Sequence, residues 1–375
     1  MYEAGASQRE SNRATLRPEM PLRRRRASAA AVLLAFVAAA SAAGPNLRPI
    51  IGVVANGPND TSILPPYDSH DAYIAASYVK HIEGAGGRAV PIPWFLPADE
   101  VRALAKSLNG FILPGGGTHF FLPNGSLSGY GATTKILFDE TVAAWAAGES
   151  VPLWGTCLGH EMTLTHAAND LRTIDKFGYV AENVSYPISL TAAGAASRLW
   201  GSAPAEVLEA ITQWNVTINL HEYGISSADF NASPAAQLLA ILSTNVDANG
   251  KEFVSSTEGL GGLPIFTTQF HPEKPTFEWW ATEQVNHTYA SIVANQWTAR
   301  FFVNEARKNA RAFPSEDAEN DALIWNWSPE YTIRVMKGYA QTYFFDRATF
   351  AFGPAATAAM KAAAAAAAAQ RRTPA

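Results

Sequence analysis

The chain has 375 residues, 48% of them hydrophobic and only 16% charged, with a formal charge of −5. That composition excludes a disordered or coiled-coil central region and is enough for one large domain with a substantial core. Residues 1–43 carry a net +4 and residues 361–375 a net +3, leaving about −12 on the remainder, which argues against a nucleic-acid partner.

Reading from the N-terminus, Arg23 to Arg26 form a basic stretch, Ala29 to Ala40 an apolar one, and Ala40-Ser41-Ala42 a small-residue cleavage site. This is the pattern of a secretory signal peptide, and the apolar run is too short to anchor the chain in a bilayer. Nineteen residues before Met20 are too many for an ordinary basic region, so translation is expected to start at Met20. Asn59, Asn124, Asn183, Asn215, Asn231, Asn286 and Asn326 each open an Asn-x-Ser/Thr sequon, an excess that fits a glycosylated, exported protein.

The spacing then predicts alternating strands and helices. Arg48–Ala55 reads as a buried strand and Asp71–Glu83 as a helix stopped by Gly84. Arg88–Ile92 reads as a strand, and Asp99–Leu108 as a short helix. Phe111–Leu113 is a third strand opening into Pro114-Gly-Gly-Gly117, Thr134–Ala147 a helix, and Val151–Trp154 a fourth strand. Such βαβ units imply an α/β fold, a three-layer αβα sandwich with a mostly parallel central sheet, whose ligands bind beyond the carboxyl ends of the strands. Residues 44–350 are expected to form this domain, with 351–375 an alanine-rich appendage lacking an amphipathic pattern.

Cys157 is the only cysteine, so it cannot form an internal disulfide. It stands in Val151-Pro-Leu-Trp-Gly-Thr-Cys-Leu-Gly-His-Glu161, a strand running through glycines into a helix. That arrangement exposes a nucleophile on a sharp turn, with helix N–H groups that favour thiolate; the alternative is a buried, inert core thiol. Downstream, the strand Pro264–Phe270 ends in His271-Pro-Glu273. A histidine with a carboxylate two residues on supplies a base and a group that orients it, though taken alone the triplet is equally compatible with a structural role. His70, His81, His119, His166 and His287 show no metal-ligand spacing, so neither a metal nor a cofactor is expected.

Taken together, these motifs resemble the class I glutamine amidotransferase-like superfamily and, within it, the γ-glutamyl hydrolases. Arg48-Pro-Ile-Ile-Gly52, Tyr73-Ile-Ala-Ala-Ser-Tyr-Val-Lys80, Trp154-Gly-Thr-Cys-Leu-Gly159, Gln269-Phe-His-Pro-Glu-Lys274 and Phe301–Asn309 carry the resemblance. It implies Cys157 as nucleophile, His271 as general base and acid, and Glu273 as its orienting group. The N–H groups of Leu158 and Gly116 become the oxyanion hole, with Gly117 an alternative second donor. Tyr73, Gly115 and His221 become substrate contacts, unless His221 is an ordinary loop histidine. Glu161 stands where glutaminases carry glutamine, Phe270 where tryptophan is common, and His160 could either tune the thiolate or face solvent. The implied substrates are poly-γ-glutamyl folates and antifolates, handled in a secreted, lysosomal or vacuolar setting, with a homodimer possible. Other γ-glutamyl amides, or a silent binding glycoprotein on the same fold, are the alternatives. Lys80, Arg88, Arg172 and Lys274 are the candidate cations for substrate carboxylates.

Overall fold

The computed structural model describes residues 44–57, 64–336 and 338–372. The signal segment, the start at Met20 and the sequon at Asn59 lie outside the described residues.

The strands are β1 (Ile50–Ala55), β2 (Ala72–Ala75), β3 (Arg88–Pro93), β4 (Gly110–Leu113), β5 (Leu153–Thr156), β6 (Ala181–Tyr186) and β7 (Ser189–Leu190). They continue with β8 (Thr217–His221), β9 (Leu239–Val246), β10 (Glu252–Gly259), β11 (Ile265–Thr268), β12 (Glu330–Tyr331) and β13 (Gln341–Phe345). Eight of them form one sheet in the order β3-β1-β4-β5-β11-β10-β9-β7. The first five run parallel, and β10, β9 and β7 are added antiparallel.

Successive strand residues feed opposite cores, as a sheet covered on both faces requires. Ile50, Val54, Phe111, Leu113, Leu153 and Ile265 enter one cluster. Ile51, Val53, Ile112, Trp154 and Phe266 enter the other. The helices that matter below are α1 (Ala76–Glu83), α2 (Ala98–Ala105), α3 (Gly129–Ala146), α4 (Leu158–Ala168), α5 (Tyr289–Ala306), α6 (Glu316–Ala322) and α7 (Pro354–Arg372). Helices α2, α3, α4 and α6 contribute to the first cluster, α1 and α5 to the second. The three-layer architecture expected from the βαβ spacing is therefore the one observed.

Three local expectations change. The helix anticipated from Asp71 begins only at Ala76, because residues 72–75 form β2. Tyr73 and Ile74 pair antiparallel with Phe344 and Tyr343 of β13, a partner nearly three hundred residues away that no local pattern announces. Helix α3 starts at Gly129 rather than Thr134, since the Ser128 hydroxyl caps it by accepting the Gly131 N–H at 3.1 Å. The alanine-rich segment is not a free appendage: α7 packs against α2 and α6, burying Ala356 and Met360. Alanine side chains let helices approach closely without the large apolar residues that make an amphipathic stripe visible.

Candidate active site

Strands β5 and β11 are parallel neighbours, so their carboxyl ends meet on one edge of the sheet. Each ends in one of the two sequence motifs. The turn after β5 holds Cys157 at φ 50°, ψ −108°, a conformation L-residues avoid unless surrounding structure enforces it. Here the Cys157 N–H donates to the Thr268 carbonyl at 2.9 Å, and its carbonyl accepts the Glu161 N–H at 3.0 Å, the first bond of α4. The flanking glycines serve packing. A Cβ on Gly159 would lie 1.9 Å from the Leu113 carbonyl oxygen, and one on Gly155 would lie 2.4 Å from that of Gly159. Only glycine lets the start of α4 sit this close to β4 and β5.

His271 follows β11, and its ring Nδ1 lies 2.7 Å from Glu273 Oε1. Both side chains are almost wholly buried. A neutral ring that donates its Nδ1 proton to this carboxylate keeps Nε2 as its basic nitrogen. Burial raises the Glu273 carboxyl, but the His271 ring, its hydrogen bond and Lys274 outweigh that and hold the group below the usual carboxylate range. Proline at 272 fixes the backbone between base and orienter.

Cys157 and His271 line one cleft of about 640 Å³, together with Gly116, Leu158 and His221. Cys157 retains only 6% exposure. Burial first, then Glu161, Glu273 and Glu182 push its thiol well up, while the Leu158 N–H at the sulfur pulls the other way. The helix start therefore does not win by itself, contrary to what the sequence led one to expect, and the resting group is a thiol.

The remaining expected residues separate into those at the cleft and those behind it. His221 is at the cleft, its Nδ1 donating to the Tyr223 carbonyl at 2.7 Å, with a pKa lowered to about 4, chiefly by burial. Tyr73 and Gly115 are not among the lining residues. Tyr73 is fully buried in β2, with its hydroxyl accepting from Asn56 Nδ2 at 3.2 Å. Gly115 donates its N–H to the Tyr78 hydroxyl at 2.8 Å, and the residue is packed so tightly that a Cβ would sit 2.6 Å from His271 Cε1. His160 faces neither sulfur nor solvent. It is buried, with Nδ1 2.7 Å from the Thr267 hydroxyl, and burial lowers its pKa to about 3.

Glu161 does face the cleft. Its Oε1 accepts from Gln269 Nε2 at 2.9 Å, yet burial raises its pKa to about 7. Of the four candidate cations only Lys274 lines the cleft, held by Glu283 and the Gly338 carbonyl, both at 2.8 Å. Lys80 pairs with Gln341, Arg88 with Glu319, and Arg172, 90% exposed, with Asp170. Sequence reasoning missed Tyr78, which spaces the glycine turn from His271, and the wall formed by Phe177, Glu182 and Glu222. Among the described residues no cluster of three or more potential metal ligands occurs, and no helix is long and apolar enough to cross a membrane.

The Peptidase C26 family profile matches residues 49–273. The mouse γ-glutamyl hydrolase is 36% identical over 302 residues, covering 80% of this chain and 90% of the mouse protein. The human γ-glutamyl hydrolase is 34% identical over 300 residues, with the same coverage of each. γ-Glutamyl hydrolase B of Dictyostelium discoideum is 33% identical over 305 residues, covering 81% and 85%. With the strand-turn-helix cysteine and the buried histidine–glutamate pair inside the matched region, the chain belongs to the Peptidase C26 family.

Proposed function

We propose that this enzyme hydrolyses γ-glutamyl amide bonds, with folate and antifolate poly-γ-glutamates as its substrates. The observation that carries the reading is the convergence of a strained Cys157 turn and the buried His271–Glu273 pair on one cleft. In the proposed reaction His271 takes the Cys157 proton as sulfur attacks the γ-carbonyl carbon. The negative charge that develops on the carbonyl oxygen meets the N–H groups of Leu158 and Gly116. Collapse of this intermediate breaks the C–N bond, and His271 passes its proton to the departing amine. A γ-glutamyl thioester remains. Water then gives a proton to His271 and its oxygen to the acyl carbon, and the thiolate leaves and is reprotonated. Gly115 and Tyr73 support this site from behind rather than by touching substrate.

One observation favours a second reading, hydrolysis of smaller γ-glutamyl amides. Glu161, Glu182, Glu222 and Glu283 line the cleft, against Lys274 as its one lysine or arginine among the described residues. A polyanionic chain meets that surface less favourably than a substrate with few carboxylates. Export through the secretory pathway, to the exterior or to a lysosome or vacuole, completes the proposal, with a homodimer as the assembly. Asn124, Asn215 and Asn231 are exposed and suit glycan attachment.

The test is incubation with pteroyl penta-γ-glutamate and with γ-glutamyl dipeptides, with products resolved by chain length. Shortening of the pteroyl chain by wild type and its loss in Cys157→Ala are expected. Equal turnover by Cys157→Ala would remove the mechanism, and exclusive cleavage of the dipeptides would favour the second reading.

A further inference from the structure

Phe177 is 72% exposed, yet it belongs to the wall of the cleft that holds Cys157. Its backbone sits at φ +57°, where a bulky L-residue is a genuine outlier and glycine would be the ordinary choice. Two unfavourable features thus coincide on one side chain: an aromatic ring left in water and a left-handed backbone.

The strain is imposed by the neighbours. Asp175 and Gly224 exchange backbone hydrogen bonds at 2.8 and 3.1 Å, and the Tyr179 N–H donates to the Glu222 carbonyl at 3.0 Å. Lys251 Nζ ties down the Asp175 carboxylate at 2.6 Å and the Gly178 carbonyl at 3.0 Å. Lys176 lies 5.0 Å from the centre of the Phe121 ring. Between these clamps Phe177 is the apex of a tight turn. Its ring and that of Tyr223 are perpendicular, with centroids 4.9 Å apart and planes at 81°, so the two rings are not stacked face to face. Tyr223 in turn fixes His221 through its carbonyl, which links this turn to the interior of the cleft. Burial does not explain a ring so exposed, and strained backbone persists chiefly where function uses it.

We propose that Phe177, braced by Tyr223, is a stacking platform for a flat aromatic group carried by the γ-glutamyl substrate. A ring laid on Phe177 covers its exposed face and is held against a preorganised surface. This rests on the pteroyl-glutamate reading above and adds to it a residue that recognises the aryl part of the substrate rather than its glutamates.

The experiment compares kcat/KM for pteroyl-γ-glutamyl-glutamate with that for N-acetyl-γ-glutamyl-glutamate, which lacks the ring. Wild type is assayed beside Phe177→Gly, Phe177→Leu and Phe177→Tyr. Glycine relieves the left-handed strain, so its variant folds at least as well, and tyrosine keeps the ring. The preference for the pteroyl substrate is expected to drop roughly fivefold to tenfold in the glycine and leucine variants and to persist in the tyrosine variant. A preference unchanged in all three variants, or lost equally in the tyrosine variant, overturns the platform while leaving the pteroyl-glutamate reading intact. Wild type that cleaves the acetyl but not the pteroyl substrate overturns that reading, and the platform with it.

Discussion

The Tyr78 hydroxyl accepts the Gly115 N–H at 2.8 Å and lies 3.3 Å from Nδ1 of His271. One buried oxygen, on α1, thereby sets the distance between the glycine turn that carries Gly116, the proposed oxyanion donor, and His271, the proposed proton carrier. Neither motif contains this residue. Replacing it with phenylalanine keeps the ring and removes the spacer. Tyr78→Phe is expected to lower kcat about tenfold with KM within a factor of two, and to shift the pH profile of kcat, which simple loss of packing would leave in place. Steady-state kinetics across pH 5 to 9 provide the check; an unchanged kcat would show the spacer to be dispensable.

Because burial and the nearby Glu161 hold Cys157 as a thiol, iodoacetamide should modify the resting enzyme slowly, at a rate that climbs through the alkaline range. Glu161→Gln removes the carboxylate while preserving an amide partner for Gln269, so alkylation at a given pH above 7 is expected to speed up several-fold. Mass spectrometry of the Cys157 peptide reads both effects. A plateau reached below pH 7 in wild type would mean the thiolate is preformed.

Stability is expected to fall as the medium is acidified from pH 6.5 to 4. His81, His160, His166 and His221 have folded pKa values of about 4, 3, 3 and 4, each lowered mainly by burial. Above the unfolded value near 6.5 their burial has no protonation cost; as pH falls below it, the unfolded chain gains protons that the folded one refuses, and stability is lost. Glu161 and Glu278, raised to about 7 by burial, act in the opposite direction: their contribution is present below the unfolded value near 4.5 and disappears as pH rises through 7. Four histidines against two glutamates leave the acid side as the weaker one. Melting temperatures measured at pH 4.5, 5.5 and 6.5 should rise in that order and level off by pH 7.5, where the histidine and glutamate contributions nearly cancel, and a maximum at pH 4.5 would contradict the balance.

Helix α7 is part of the core rather than a tail. Met360 is buried against the first cluster, so Met360→Ala is expected to cost about 2 kcal/mol of unfolding free energy, with kcat unaffected. Urea denaturation distinguishes this from a free appendage, for which the same change would leave the midpoint where it was.

How far the sequence could be read follows from the range of each interaction. The runs that form β1, β4 and β5 are locally apolar and bounded by glycine, proline or asparagine, and the structure places strands at all three. Cys157, His271 and Glu273 each sit in a short motif at a strand end, and βαβ spacing put the glycine turns after β4 and β5 on one sheet edge; that β11 brings His271 to the same edge, after the antiparallel β10, could not be read from it. Residues whose role depends on distant partners were not legible in the same way. Tyr73 enters a strand only because β13 pairs with it. Tyr78 matters only through Gly115 and His271, and Phe177 only through a turn clamped from Gly224 and Lys251. For α7, a run of alanines gives no contrast in side-chain size from which a buried side could be chosen.

The backbone at Cys157 has a consequence for the chain as a whole. At φ 50° and ψ −108°, glycine is the residue that would rest there most easily, and Cys157→Gly is expected to be inactive yet to melt higher than wild type. Differential scanning calorimetry reads the second half of that statement, and a lower melting point would refute it. Selection for thermal endurance alone would therefore remove the sulfur, whereas the thiol chemistry proposed above would keep it. One of the few positions where the described backbone resists its most restful conformation is thus also the one that holds the only thiol.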